Sequence, residues 1–250
     1  MMIRSAAFSY ICNQCGRCCR DQMITLSPYD VIRIAQAAEI STAEVVREYT
    51  IRRGSMLKFR TDGTCVALAG TRCSIHQGRP LACRLYPLGL ERDTDGGESF
   101  TTLEPASGSL GAYGGDGTIA DFVEGQGVTE YLAANEAYRR LLPLIRDRIA
   151  ALVDFEVREP REFWRVATRE ALAETNFDPN PLINALFDAD RLAGRRHSAV
   201  ATVRAHSDAL TELIRAETKP QILAAAGIML AVSLGYPPGA WTVESRRGQI

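Results

Sequence analysis

Three features are scarce in this sequence, and each scarcity argues against a class of protein. Cysteine is absent after residue 83, although the chain has 250 residues and seven cysteines. The longest apolar run, residues 222–234, is shorter than the roughly 20 residues that a membrane-spanning helix needs. Net charge is nearly zero, with 29 basic and 30 acidic residues, so the chain as a whole has no electrostatic attraction to nucleic acid or to a membrane surface.

The size of the chain and its N-terminal residues also argue against disulfide bonds between the cysteines. A chain of 250 residues, 46% of them hydrophobic, can bury a core without covalent cross-links. Residues 1–10 contain one arginine and no apolar stretch of signal-peptide length, so we expect a soluble, cytoplasmic protein. Thiols in that reducing compartment favour metal binding or redox chemistry, and an odd number of cysteines leaves at least one unpaired under any disulfide scheme.

Several enzyme and nucleic-acid signatures are missing as well. The chain has no Ser-His-Asp order, no paired-carboxylate motif and no His-Glu-x-x-His. No hydrophobic strand precedes the glycine-rich residues 108–127 and no lysine completes a phosphate-binding loop there, which favours a flexible loop. The basic residues between 191 and 206 have no interleaved aromatic side chains, so we expect a solvated helix face and no nucleic-acid partner.

Four of the cysteines form a Cys-x-x-Cys-x-x-Cys-Cys run from Cys12 to Cys19, here called the cysteine run. Each two-residue interval brackets a tight turn, and Gly16 offers the positive φ that such a turn often needs. Ferredoxin-like loops use this spacing to wrap one [4Fe–4S] cubane with three local thiolates and a remote fourth. Cys83, which follows Arg79-Pro80, is the natural remote ligand, and we expect an iron–sulfur centre.

Zinc is the first alternative. Two Cys-x-x-Cys pairs would close a tetrahedral site, and the spacing of Cys73 and His76 also suits a zinc ligand pair. Buried apolar thiols are a third interpretation, but four cysteines within eight residues argue against it. The predicted metal ligands are therefore Cys12, Cys15, Cys18, Cys19, Cys65, Cys73 and Cys83.

The motifs around these cysteines resemble one known family. The resemblance rests on residues 8–19, on Gly63-x-Cys65, on Cys73-Ser-Ile-His76 and on Arg79-Pro80-x-x-Cys83-Arg84-x-Tyr86-Pro87. These segments are similar to the cysteine-cluster family of zinc- or iron-chelating domains, which includes flagellin lysine methylase. The resemblance is specific over residues 8–90, extends more weakly over 114–138 and ends near residue 140.

The resemblance implies further expectations about activity. A cluster with one iron that no cysteine holds could bind S-adenosylmethionine, so an iron–sulfur-dependent methyltransferase acting on protein lysine is one alternative function. The sequence lacks the Cys-x-x-x-Cys-x-x-Cys spacing of radical enzymes that use that cofactor. A structural zinc module that presents the helical half to a protein partner is the other alternative.

The sequence departs from the family at the eighth ligand. Longer members often carry another cysteine before the glycine-rich turn, where this chain has Glu104 and no cysteine. The position of His76 is often tyrosine in the family. His76 and Glu104 are thus the non-cysteine candidates to complete a set of eight ligands. Arg79, Arg84 and Tyr86 flank Cys83. They could donate hydrogen bonds to a cluster or hold an anionic ligand, or the arginines could satisfy the backbone carbonyls of a structural turn.

The predicted fold is mainly α-helical, with a metal-binding module over 1–100 and a glycine-rich linker and helical region over 101–250. Ser27-Pro28 and the capping box at Ser41 predict two early helices, and short extended segments around 56–59, 64–68 and 73–75 predict small strands. Only Ser99–Leu103 is typical of a strand between 91 and 127. Helices are predicted from near Thr118 and over 129–153, 160–174, 181–192, 198–217 and 220–234.

Overall fold

The computed structural model describes residues 1–92, 97–154, 160–172, 180–194 and 198–236. It confirms a mainly helical protein with short strands concentrated around the cysteines. Residues 173–174 of a predicted helix and 195–197 of the basic stretch lie outside the described residues. Within the described part of the chain, no helix combines the length and apolarity that crossing a membrane would take.

The first two helices begin where local capping chemistry predicts. Helix α1 spans Pro28–Ala38 and α2 spans Thr42–Tyr49. Ser27 and Asp30 form a reciprocal capping box at α1, in which the Ser27 backbone N–H donates to the Asp30 carboxylate at 2.7 Å. Ser41 and Glu44 repeat the arrangement at α2. Each box satisfies backbone donors that a helix start leaves unpaired, so both starts are determined locally.

Short antiparallel strand pairs frame the cysteines. Among the described residues, β1 (Ala7–Ile11) pairs with β8 (Ala112–Thr118), β2 (Thr50–Ile51) with β3 (Met56–Leu57), β4 (Leu68–Ala69) with β5 (Arg72–Cys73), and β6 (Leu88–Arg92) with β7 (Glu98–Thr102). The one-turn helix α3, Leu81–Leu85, lies between β5 and β6.

Strand β8 corrects one prediction. The expectation of a single strand between 91 and 127 is wrong, because residues 112–118 pair with the N-terminal strand β1. The segment Ala-Tyr-Gly-Gly-Asp-Gly-Thr has little intrinsic strand preference. It is extended because β1 offers it a partner more than 100 residues away in sequence, and no local pattern encodes that pairing.

The second part of the chain is a helical assembly. Its helices are α4 (Ile119–Gly125), α5 (Val128–Arg139), α6 (Leu141–Leu152), α7 (Pro160–Leu172), α8 (Pro181–Ala185), α9 (Ala189–Ala193), α10 (Ala199–Ala216) and α11 (Pro220–Ser233). Helix α11 packs against α6, α7 and α8, and every residue from Leu223 to Ala231 is buried. It is therefore the central helix of this assembly.

Two of the predicted helices are each divided in two. The break between α5 and α6 falls at Arg140, three residues before Pro143. Proline has no N–H to donate to the carbonyl four residues earlier, so a continuous helix is interrupted there. The break between α8 and α9 falls before Asp188, whose side chain caps α9 by accepting from the Arg191 N–H. The prediction of single helices over 129–153 and 181–192 is wrong at these two points.

Side-chain hydrogen bonds join the early helices to the later ones. The hydroxyl of Thr42, at the start of α2, donates to the Asp188 carboxylate at 2.7 Å. The Thr42 N–H donates to Asp190 at 2.9 Å, and the Asp190 N–H donates back to the Thr42 hydroxyl at 2.9 Å. A hydrophobic cluster that contains both α1 and α11 residues continues this contact. The segment that carries the cysteines thus packs against the later helices and is hydrogen-bonded to them.

Candidate metal centre

The cysteine run is a turn that follows strand β1. Gly16 has φ +70°, which confirms the predicted positive φ, and the Cys19 N–H donates back to the Gly16 carbonyl at 3.3 Å. A Cβ at Gly16 would lie 3.2 Å from both the Thr71 carbonyl oxygen and a Leu68 methyl group. Glycine here allows the run to lie directly against the β4–β5 pair, which carries Cys73.

A second contact links the run to Cys65. The Cys65 N–H donates to the Cys19 carbonyl at 2.9 Å. The Arg60 guanidinium then donates to the carbonyls of Cys65 at 3.1 Å and of Val66 at 2.8 Å. Arg60 therefore holds the turn that presents Cys65. The sequence does not predict this role of Arg60, because an arginine that binds backbone carbonyls has no characteristic spacing from other residues.

Cys83 reaches the site from the short helix α3. Asp30, which completes the capping box of α1 with Ser27, also accepts from the Leu81 N–H at 2.7 Å. One carboxylate thus fixes the starts of both α1 and α3. Burial raises the pKa of Asp30, and the hydrogen bonds from Leu81 and Ser27 oppose that rise. The sequence signal for Asp30 was its capping-box position three residues after Ser27, but nothing local indicated its contact with α3.

The segment before β8 covers the outer side of the cysteine run. The Leu110 N–H donates to the Cys15 sulfur at 3.5 Å, and the Asn13 side-chain amide donates to the Leu110 carbonyl at 2.7 Å. N–H donation from Leu110 and Arg17 lowers the pKa of the Cys15 thiol, because it stabilises the thiolate. The glycine-rich stretch thus supplies part of the cysteine site.

All seven cysteines line one cavity of about 420 Å³. Cys65 is buried, Cys12 is exposed and the other five are partly buried. The structure therefore brings together the cysteine run and the three cysteines that lie 46 or more residues further along the chain.

The thiols are near enough to influence one another. Burial raises the pKa of Cys83, and the charges of Cys65, Cys18 and Cys73 raise it further. Burial also raises the pKa of Cys65 and Cys73. These thiols are protonated in the metal-free protein near neutral pH, so metal binding must displace their protons.

Cys18 and Cys19 behave as a pair. The Cys19 thiol donates a hydrogen bond to Cys18, which lowers the pKa of Cys18 to about 7 and raises that of Cys19. Cys18 is therefore the member of the pair that ionises first. A thiolate is the form that binds metal.

The thiols surround a space and do not converge on one point. Among the residues that the structure describes, no three side chains of Cys, His, Asp or Glu are gathered closely enough to hold a single metal ion. His76 lines the same cavity as the cysteines, with its Nδ1 3.4 Å from an Arg79 nitrogen. Glu104 is exposed and is not among the described residues that line the cavity.

Arg79, Arg84 and Tyr86 also line the cavity, and each makes protein contacts there. Arg84 donates to the carbonyls of Arg79, Gln77 and Gln126 and stacks over the Tyr131 ring at 4.8 Å. These contacts brace the chain on both sides of Cys83.

The other two residues are held in the same way. Arg79 donates to the His76 carbonyl at 2.8 Å and to the Gln126 side chain. The Tyr86 hydroxyl accepts from the Ala106 N–H at 3.0 Å. Binding of a cofactor by Arg79, Arg84 and Tyr86 stays a prediction.

Comparison with known proteins supports this site. Residues 11–103 match the family model CxxCxxCC, described as a putative zinc- or iron-chelating domain. No curated protein and no solved structure matches the chain. The matched segment begins one residue before Cys12 and ends 20 residues after Cys83, so it contains the whole cysteine set. Over residues 11–103, this chain is therefore similar to the CxxCxxCC family of zinc- or iron-chelating domains.

Proposed function

We propose that this protein binds an iron–sulfur cluster through its cysteines. The observation that carries the proposal is that all seven thiols line one cavity, whose volume is about 420 Å³. A structural zinc site gathers four ligands around one atom at about 2.3 Å from each sulfur. Thiols distributed around a wider space suit a centre of several metal atoms and sulfides. The family description supports metal binding and names both zinc and iron.

The proposed ligands divide into two groups. Cys12, Cys15 and Cys18 follow one another in the turn after β1, and Cys83 lines the same cavity from a separate segment, so these four form the proposed cluster-binding set. Cys19, Cys65 and Cys73 complete the thiol lining, as outer ligands of the same cluster or as ligands of a second centre. Their raised pKa values mean that they bind metal only with loss of a proton.

Anaerobic purification tests the proposal. We expect a brown protein whose charge-transfer absorption, iron and acid-labile sulfide rise and fall together. A colourless protein with stoichiometric zinc would contradict the iron–sulfur proposal and support the structural zinc module.

The same preparation tests the methyltransferase alternative. Calorimetric titration with S-adenosylmethionine should produce saturable heat if the centre serves methyl transfer to a protein lysine. Absence of heat at high ligand concentration would leave a metal-binding function alone.

A further inference from the structure

The cavity of the cysteines contains an arginine charge that no carboxylate neutralises. Arg79 lines this cavity, is partly buried and lies four residues before Cys83. Its guanidinium donates to the His76 carbonyl at 2.8 Å and to the Gln126 side-chain oxygen at 2.5 Å. Both acceptors are uncharged, and among the described residues Arg79 forms no ion pair. A guanidinium stays protonated in proteins, so its positive charge remains in the cavity wall.

The carboxylates that line the cavity interact with other groups. Among the residues that the structure describes, these carboxylates are Asp30 and Glu136. Glu136 forms a two-point ion pair with Arg139, with both N–O distances 2.7 Å. Burial raises the pKa of Asp30, and its hydrogen bonds and the charge of Arg84 oppose that rise. Neither carboxylate therefore serves as the counter-charge of Arg79.

The anions that act on Arg79 are thiolates. Burial and the charge of Arg84 lower the pKa of Arg79, whereas the charges of Cys83 and Cys12 raise it. Tyr131 would act in the same direction if it were ionised, but burial raises its pKa to about 12. Its hydroxyl donates to the Arg79 carbonyl at 3.1 Å, which requires the protonated form. The thiolates of Cys12 and Cys83 are thus the counter-charges that the cavity offers to Arg79.

We propose that Arg79 is the counter-charge of the metal centre, and that its guanidinium stabilises the thiolates on which metal binding depends. Thiols must lose their protons to bind metal, and a nearby positive charge lowers the cost of that loss. A full set of thiolates outweighs the charge of Zn²⁺ or of an iron–sulfur cluster, so the centre is anionic with either metal. Arg79 acts through the thiolates and does not bind the metal itself. The proposal rests on the proposed metal-binding function but not on the identity of the metal.

Zinc affinity tests this role of Arg79 in the full-length protein. The reduced chain is loaded with Zn²⁺, which binds thiolates without redox chemistry, and its affinity is measured by competition with a chelator. We expect Arg79→Gln to weaken Zn²⁺ binding by about 10- to 100-fold, the effect of removing one positive charge close to an anionic site. Arg79→Lys keeps the charge and should recover most of the affinity. Equal affinity of Arg79→Gln and wild type would overturn the proposal, and so would an equal loss in both variants or a wild type that does not bind Zn²⁺.

Substitutions at Gln126 test the charge without changing Arg79. Gln126→Glu places a carboxylate against the guanidinium, whereas the matched control Gln126→Met removes the same hydrogen bond and adds no charge. We expect the Glu variant to bind Zn²⁺ about 5-fold or more weakly than the Met variant. Equal affinities of these two variants would contradict the proposal, even where Arg79→Gln does not fold. Iron and sulfide in the protein as purified test the iron–sulfur proposal separately, so the two failures are distinguishable.

Discussion

The cysteine segments and helix α11 are held in place by different forces. Residues 12–19 and 64–83 contain few regular hydrogen-bonded elements, and the strand pair β4–β5 has two residues in each strand. A few hydrogen bonds, donated by Arg60 and accepted by Asp30, position much of this region. Helix α11 is instead buried along most of its length by neighbouring helices. Hydrophobic burial stabilises α11 without any ligand, whereas the cysteine segments place thiols that repel one another once ionised. Metal should therefore matter far more to the first region than to the second.

Metal removal should give the largest difference between the two regions. After oxidation and chelation we expect amide hydrogen exchange to accelerate strongly in residues 12–19 and 64–83, because the centre joins segments that are otherwise weakly connected. Helix α11 should keep slow exchange. Mass-spectrometric exchange before and after chelation measures both. Loss of protection in both regions to the same degree would show that the helical part also depends on the metal.

A substitution that creates a cavity beside α11 should lower stability without lowering metal content. Leu230 is fully buried, so Leu230→Ala should lower the free energy of unfolding by about 2–5 kcal/mol. Metal per folded chain should stay at the wild-type value, because the substitution lies outside the thiol lining. Urea unfolding and metal analysis of the same samples check the two statements. A loss of metal from chains that remain folded would contradict the separation of the two regions.

Acid should destabilise the helical part through His206. This side chain donates from Nε2 to the Ala185 carbonyl at 2.8 Å and accepts at Nδ1 from the Tyr138 hydroxyl at 2.9 Å. Burial lowers the pKa of His206 to about 4. The unfolded chain takes up this proton near pH 6.5 and the folded chain only near pH 4, so stability is unaffected above about pH 6.5 and falls between pH 6.5 and 4.

The loss should approach about 3 kcal/mol near pH 4. The control is His206→Gln, which lacks a titratable group and should show a flatter dependence on pH in the same range. Urea unfolding at several pH values gives both profiles. Identical profiles for the wild type and the variant would show that His206 is not the group responsible.

Arg60 should have the smallest effect. Arg60→Lys keeps the charge but cannot reach several carbonyls from one planar group, so we expect a loss of about 1 kcal/mol in stability and a fractional loss of metal. Arg53→Lys, a nearby arginine substitution outside the cavity lining, serves as the control. Metal content equal in all three proteins would show that Arg60 does not position Cys65.

The sequence predicts features that depend on residues close together in the chain, and it misses features that depend on residues far apart. The starts of α1, α2 and α4 depend on capping residues within three positions of one another, so the sequence near Ser27, Ser41 and Thr118 predicts them. Strand β8 depends on pairing with β1, more than 100 residues earlier in the chain, and the local pattern does not predict it. The cysteine spacing likewise predicts a common site, while the contact of Asp30 with α3 arises only from tertiary packing.

Single cysteine replacements test the central claim, that the thiols around this cavity bind one metal centre. Metal per chain is measured for Cys15→Ser and Cys83→Ala, which lie on separate segments 68 residues apart in sequence, beside a Gln22→Ala control, an exposed residue that lines the cavity without a thiol. We expect both cysteine variants to lose most of the metal while the control keeps it. Full metal content in both cysteine variants would contradict the centre described for this cavity.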